Sequence, residues 1–437
     1  MSPASFATLA TTLLLASACQ AGILHAAPDN YLIQVKQMSP GDTLELMPGE
    51  YRNGLPIHGI NGRPGQRITI AGPASGPRPV FMARSGANTV SIVDSSYITI
   101  RNLELDGLNM AGDAVKAEGH AHWAHHITLE NLLIRNHGGD QQTVGISTKC
   151  PAWNWVIRNN VIVGAGTGIY LGNSDGSAPF VAGLIEYNLI VDTLGYNLQI
   201  KHQQARPALA GMPGGPSATI VRHNVFSKQH GAATEAMARP NVLLGHGPLK
   251  GAGADDSYQV YGNFFYDNPS EALFQGEGNI ELHHNVFWNR HGDAIHIQPH
   301  NDVPKRITLV HNTVLATGTG IRVLNPEGAA HYPQIASANA VFAATPISGI
   351  DGEGNITAPL AKAGDYLMHP LDSLGTFDPR PQPGRLALPQ SAQAALPPGP
   401  HANLDFDGRP LNLPIAGAYN GEAGAPVWLP RLERKRP

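Results

Sequence analysis

Charge is scarce in this chain. Charged side chains are 14% of the 437 residues, against roughly a quarter in an average globular protein. Aromatic residues are 6%. The balance of 29 Lys and Arg against 33 Asp and Glu gives a net charge of −4. That excludes a generally basic nucleic-acid binder but leaves a local cationic groove open. Two cysteines, Cys19 and Cys150, exclude a disulfide-rich scaffold and a cysteine zinc cluster. The body of the chain has no apolar run of about 18 residues, so no transmembrane segment is expected there. What is plentiful is glycine (49) and proline (36), both poor in helix interiors. An apolar content of 42% is ample for a large core.

Residues 1–28 contain no Asp, Glu, Lys or Arg, and Leu9 to Ala18 is a run of apolar and small residues. This reads as a signal peptide, assigned to 1–27, with cleavage after Ala18 or Ala27. The expected location is the periplasm or the exterior. Cys19 directly after Ala18 leaves lipidation as the alternative.

The body, taken as 28–350, is an internal repeat. Nearly one phrase recurs: ITIRNLEL (98–105), VIRNNVIV (156–163), LIEYNLIV (184–191), IVRHNVFS (220–227), ELHHNVFW (281–288) and TLVHNTVL (308–315). Its asparagine falls at Asn102, Asn131, Asn160, Asn188, Asn224, Asn263, Asn285, Asn312 and Asn339, at intervals of 22 to 39 residues. Such a period, with β-branched residues alternating about a fixed Asn, specifies an all-β fold, a parallel β-helix whose coils stack their inward Val, Ile and Leu. The Asn is expected at a left-handed bend, its amide bonded to the next Asn in a ladder. His223, His284 and His311 precede that Asn and read as turn decoration rather than metal ligands. The two longest intervals predict loops inserted at 203–217 and 228–240, where function tends to reside. Residues 351–437 read as an irregular, Pro-rich extension packed on the solenoid, ending in a solvated basic tail.

A second strand precedes each Asn phrase. Aligning these strands gives one outward row of Lys116, Ser147, Tyr170, Gln199, Leu243, Leu273, His296 and Arg322. The next row is Glu118, Lys149, Gly172, Lys201, Gly245, Gln275, Gln298 and Leu324. Lys201 thus stands between two glycines, with Tyr170 nearby and His202 and His246 at the strand ends. That is a cut-out fit for a sugar ring.

At these residues the sequence resembles the polysaccharide lyases that include alginate lyases and chondroitinase B, which are right-handed parallel β-helices. Lys201 matches their base and His246-Gly247 their His-Gly pair. Gly245 stands where the family has Arg, and LGYNLQ (194–199) lacks the acidic residues that hold calcium there. No cofactor is therefore assigned; calcium, if used, is held differently. QPHNDVPKRITLVHNTV (298–314) resembles the catalytic segment of mannuronan epimerases, with His300 matching their His and Gln298 replacing an Asp.

What the resemblance implies is β-elimination in an acidic, uronate-containing polysaccharide. Lys201 would be the base, and His246 or Tyr170 the acid on the leaving oxygen. Lys149, Arg206 or Arg239 would balance the uronate carboxylate. His202, Gln275, Glu277, His300 and Arg322 are the further candidates for substrate contact. An epimerase using His300 and a non-catalytic carbohydrate-binding scaffold are the alternatives. No nucleic-acid partner is expected, and the protein is expected to be a monomer.

Overall fold

The computed structural model describes residues 21–119, 121–325, 332–389, 402–411, 414–421 and 428–436. The run Leu9–Ala18, with Cys19, lies outside them. Among the described residues, all but two strands fall into three long parallel sheets of fourteen, twelve and eleven strands, each strand pairing with its counterpart one coil away; Leu367–His369 and Asp378–Pro381 form a short antiparallel pair. The fold is a right-handed parallel β-helix.

The coil is built from triplets such as Val161–Val163, Val225–Ser227 and Leu198–Ile200. In each, the residues that point inward meet the same residue types above and below. Ile162, Ile190, Phe226, Phe265 and Phe287 form one such column, all fully buried. Phe265 and Phe287 stack with centroids 4.3 Å apart. Strand pairing between coils satisfies the backbone, so every coil needs its neighbours. The strand Ile23–Ala26 opens the fourteen-stranded sheet by pairing with Thr43–Leu46. It lies upstream of the cleavage expected after Ala27, so a cut there removes the opening strand and a cut after Ala18 keeps it. Helix Tyr31–Gln37 buries Tyr31 and Val35, with the Tyr31 ring against Tyr51 and Phe81.

The asparagine ladder runs from Asn160 through Asn188, Asn224, Asn263, Asn285, Asn312 and Asn339 to Asn355. Each Oδ1 accepts the main-chain N–H and the Nδ2–H of the preceding rung. Each Nδ2 also donates to a carbonyl one coil back. The buried amides are thereby paired, at a net gain of about 1 kcal/mol per bond. The left-handed residue is not the ladder Asn but the one before it: Asn159, Tyr187, His223, Gly262, His284, His311 and Ala338 have positive φ. Asn102 and Asn131 occupy that outer position, one residue out of phase with Asn160, and Leu103 and Leu132 take the inward place. The sequence alignment merged two adjacent positions because Asn suits both. The turn histidines are stacked, His284 on His311 at 5.0 Å and His223 on Tyr187 at 4.9 Å.

A second register differs from expectation. Leu243 pairs with Gln275, not Leu273, so the strand Phe274–Gly276 sits two residues further on. Leu273 is fully buried. A slip of two preserves the inward–outward alternation and leaves no trace in a period-two pattern. The Phe274 ring decides it: a Cβ on Gly276 would lie 3.0 Å from that ring and 2.4 Å from the Ile280 side chain. One large ring and one glycine fill two inward places.

Beyond the last coil, segments from 360–389, 402–411, 414–419 and Trp428 lie on the outward face of the twelve-stranded sheet. Phe377 stacks on Trp288 at 4.3 Å, and Leu367, Leu386, Phe406 and Tyr419 join Phe264, Val286 and Leu315 in a second core. The basic tail is docked, not solvated. Arg434 bonds the Asn159 carbonyl, and Lys435 is buried against Phe406, its ammonium 3.6 Å from that ring.

Candidate active site

The eleven-stranded sheet presents its outward face between the two inserted loops. Its rungs place Ser147, Tyr170, Gln199, Leu243, Gln275, His296 and Arg322 in one row. Two residues further along the strands, Gly172, Lys201, Gly245 and Glu277 form the next row, continuing the same pairing. Loop 203–217 leaves the C-terminal ends of these strands and loop 228–240 enters at their N-terminal ends.

The two glycines beside Lys201 are held by different constraints, Gly172 by its own left-handed backbone and Gly245 by the backbone of Lys201 and His202. A Cβ on Gly172, where φ is +99°, would lie 3.2 Å from the Lys201 Cβ. One on Gly245 would lie 2.4 Å from the His202 nitrogen and 2.7 Å from the Lys201 carbonyl carbon. The slot is thus cleared on both sides of a half-buried lysine.

Lys149 lies two rungs from Lys201, across Gly172. Its Nζ is 3.5 Å from the centroid of the Tyr170 ring and 3.4 Å from the Gly172 carbonyl oxygen. Burial lowers the Lys149 ammonium to about 8, Lys116 and Lys201 acting in the same direction and Asp113 against them. Burial also lowers Lys201, with the negative charge of Glu277 opposing. Tyr170 is pushed up by burial, so its hydroxyl keeps its proton at neutral pH; that hydroxyl sits 3.2 Å from the Ser174 Oγ.

His202 and His246 face each other with ring centroids 5.5 Å apart. His246 Nδ1 donates to the Gly247 carbonyl oxygen at 2.6 Å, which leaves Nε2 as the nitrogen available to a ligand. His202 is lowered, first by burial and then by Lys201 and His246.

The other sequence candidates divide. Arg206 is withdrawn from the groove: its side chain is 3% exposed and Nη2 bonds Asp256 and the Gly215 carbonyl. Asp256 also accepts the Ser217 N–H, so the pair fastens the 203–217 loop. Glu277 is fully buried and is not a substrate contact. Its Oε2 accepts the amides of His300, Asn301 and Asp302, because the two-residue register slip moves it into the row of Lys201. Arg239 donates to the carbonyls of Ala236 and Ala238 within its own loop. Gln275 donates to Glu271. His300 is exposed on the loop that Glu277 anchors. The Asp293–His296–Arg322 chain of contacts was not visible in the sequence, although Asp three residues before His was a usable signal.

Among the described residues, no three His, Cys, Asp or Glu side chains are grouped to hold a metal ion. The 194–199 segment offers no carboxylate to calcium, so the family's manner of holding that ion does not fit these residues. Among the described residues no helix is long and apolar enough to cross a membrane.

The sequence matches no known protein family and no curated protein. Among solved structures the chain is similar to an alginate lyase from Paenibacillus at 17% identity, covering 77% of this chain and 99% of that one, with a TM-score of 0.49. It is similar to a lacto-N-biosidase from Eubacterium ramulus at 12% identity, covering 77% and 68%, with a TM-score of 0.48. It is also similar to the A-module of a mannuronan C-5 epimerase from Azotobacter vinelandii at 14% identity, covering 76% and 90%, with a TM-score of 0.37. These likenesses are of the parallel β-helix fold, at low sequence identity.

Proposed function

We propose that the protein is an exported polysaccharide lyase that cleaves a uronate-containing polymer by β-elimination on the groove sheet. The observation that carries this reading is the half-buried Lys201 in a slot bounded by Gly172 and Gly245, two rungs from a second lysine. Removing the proton α to a uronate carboxylate needs a base and a cation. The base takes the proton, and the cation balances charge as it grows on the carboxylate. Lys201 takes the proton. The electron pair forms the double bond to the β carbon, and the β carbon–oxygen bond breaks. Tyr170 or His246 protonates the departing oxygen. Lys149, over the Tyr170 ring, supplies the balancing charge.

One observation favours exchanged lysine roles. Lys149 is the one lowered to about 8, while Glu277 supports the charged form of Lys201. The conservative variants separate the two. Arginine keeps the charge but stays protonated at working pH, so it cannot take the proton. Lys149→Arg retaining measurable turnover while Lys201→Arg loses it assigns the base to Lys201; the reverse result assigns it to Lys149.

The first test is incubation of the purified protein with alginate, pectate, chondroitin, dermatan and bacterial exopolysaccharides, read by the near-ultraviolet absorbance of the unsaturated uronate. Polymer bound without change in length or uronate stereochemistry across that panel would establish a scaffold instead. Inverted uronates without cleavage, lost in His300→Ala, would establish the epimerase.

A further inference from the structure

At the far end of the groove face, Arg322 stands in the same outward row as Tyr170 and Gln199. The arginines on the other faces are largely committed to carboxylates: Arg135 to Glu104 and Asp106, Arg222 to Glu186, Arg290 to Asp267. Arg322 instead meets a histidine and an amide. Its Nη2 donates to His296 Nδ1 at 3.0 Å and lies 3.5 Å from the Gln298 Oε1. His296 is buried, and its Nε2 donates to Asp293 Oδ2 at 2.7 Å. Asp293 is itself fixed, its Oδ1 accepting the Thr319 N–H.

These contacts set the tautomer. With Nε2–H spent on Asp293, the Nδ1 lone pair is left to receive the guanidinium. The relay positions Arg322 without neutralising it by direct contact. The Arg322 Nε is buried and has no partner. Glu271, the other carboxylate near His296, is occupied by Gln275 Nε2 and the Ala272 N–H. A guanidinium held in place, with donors left over and no bonded carboxylate, is suited to an external carboxylate.

We propose that Arg322, positioned by Asp293 and His296, is a second carboxylate-binding subsite, four rungs from the strand that ends at Lys201. The separation is roughly 20 Å at about 4.8 Å per rung. One pyranose in an extended chain advances by close to one rung, so a polyuronate reaching both points must be several sugars long. This rests on the reading of the groove as a polyuronate site, and it adds that affinity depends on chain length through Arg322.

The test uses the full chain carrying Lys201→Ala, so that nothing is cleaved. It is titrated calorimetrically with mannuronate and galacturonate oligomers of two, four and six residues. The expected result is at least tenfold tighter binding of a hexamer than of a dimer. Arg322→Gln added to that protein is expected to weaken the hexamer by about tenfold to a hundredfold, leaving the dimer unchanged, with Arg322→Lys intermediate. His296→Gln is the second variant, expected to weaken the hexamer alone and more mildly. Equal affinities along the length series, equal loss for dimer and hexamer, or no binding of any oligomer would overturn the subsite. The lyase reading fails separately, by absence of unsaturated product from the wild-type protein, and that result leaves length-dependent binding intact.

Discussion

Two outward faces of the same solenoid, built on the same coils, have opposite fates. On the twelve-stranded sheet the later coils read VFS, FFY, VFW and AVF, apolar outside as well as inside. The C-terminal segment covers them, with Phe377 flat on Trp288. Earlier coils of that sheet carry Glu104, Asp106 and Arg135 outward, joined as ion pairs. On the eleven-stranded sheet the outward residues are mostly polar, among them lysines, amides, a tyrosine, His296 and Arg322, with glycines beside Lys201. The repeat fixes what the coil does inside. Each outward face is free to become a second core or a binding surface, according to whether its residues gain more from burial or from water.

Substitutions on the two faces should therefore separate activity from stability. Lys201→Ala is expected to lower elimination by about a hundredfold to ten-thousandfold with an unchanged melting temperature; unimpaired turnover would remove Lys201 from the mechanism. Phe377→Ala is expected to do the converse. It should cost about 3–5 kcal/mol, seen as a lower midpoint in urea, while the specific activity of the remaining folded protein is kept. If Phe377→Ala silences the folded enzyme, the two faces are coupled and the contrast fails.

Gly245→Ala comes next in size. Its Cβ would press on backbone rather than on a movable side chain, so activity should fall more than tenfold along with a loss of stability of about 1–3 kcal/mol. A fully active, fully stable Gly245→Ala would show that the slot around Lys201 is not constrained. The gentlest probe is pH. With Lys201 as base, the rate climbs as pH rises through its lowered pKa and the amine appears. With Lys149 as balancing cation, the rate falls as pH passes about 8 and the ammonium is lost. The expected profile is a bell whose alkaline limb disappears in Lys149→Arg. An unaltered alkaline limb in that variant would assign it elsewhere.

Particular residues show how much was legible beforehand. The column Ile162, Ile190, Phe226 announces its inward direction by alternation, and Gly172 and Gly245 flank Lys201 as the aligned strands imply. Glu277 was misplaced because alternation has period two and the error was two residues; only the bulk of Phe274 beside Gly276 distinguishes the registers. Arg206 looked like a loop cation because a sequence does not reveal that Asp256, fifty residues on, is its partner. The docked tail was missed for the same reason: the carbonyls that receive Arg434 and Lys435 lie far back in the chain. Coverage of the twelve-stranded sheet did have a signal, since strands apolar on both faces are buried on both faces.

By itself the sequence determined the coil: its period, its inward column and its asparagine corner. Those follow from local alternation and from a repeat that places like residues over like. The tertiary structure decided which outward faces are covered, which cations remain unpaired and which carboxylate shares a row with Lys201. Those depend on contacts between residues tens to hundreds of positions apart, which the repeat brings together but does not encode.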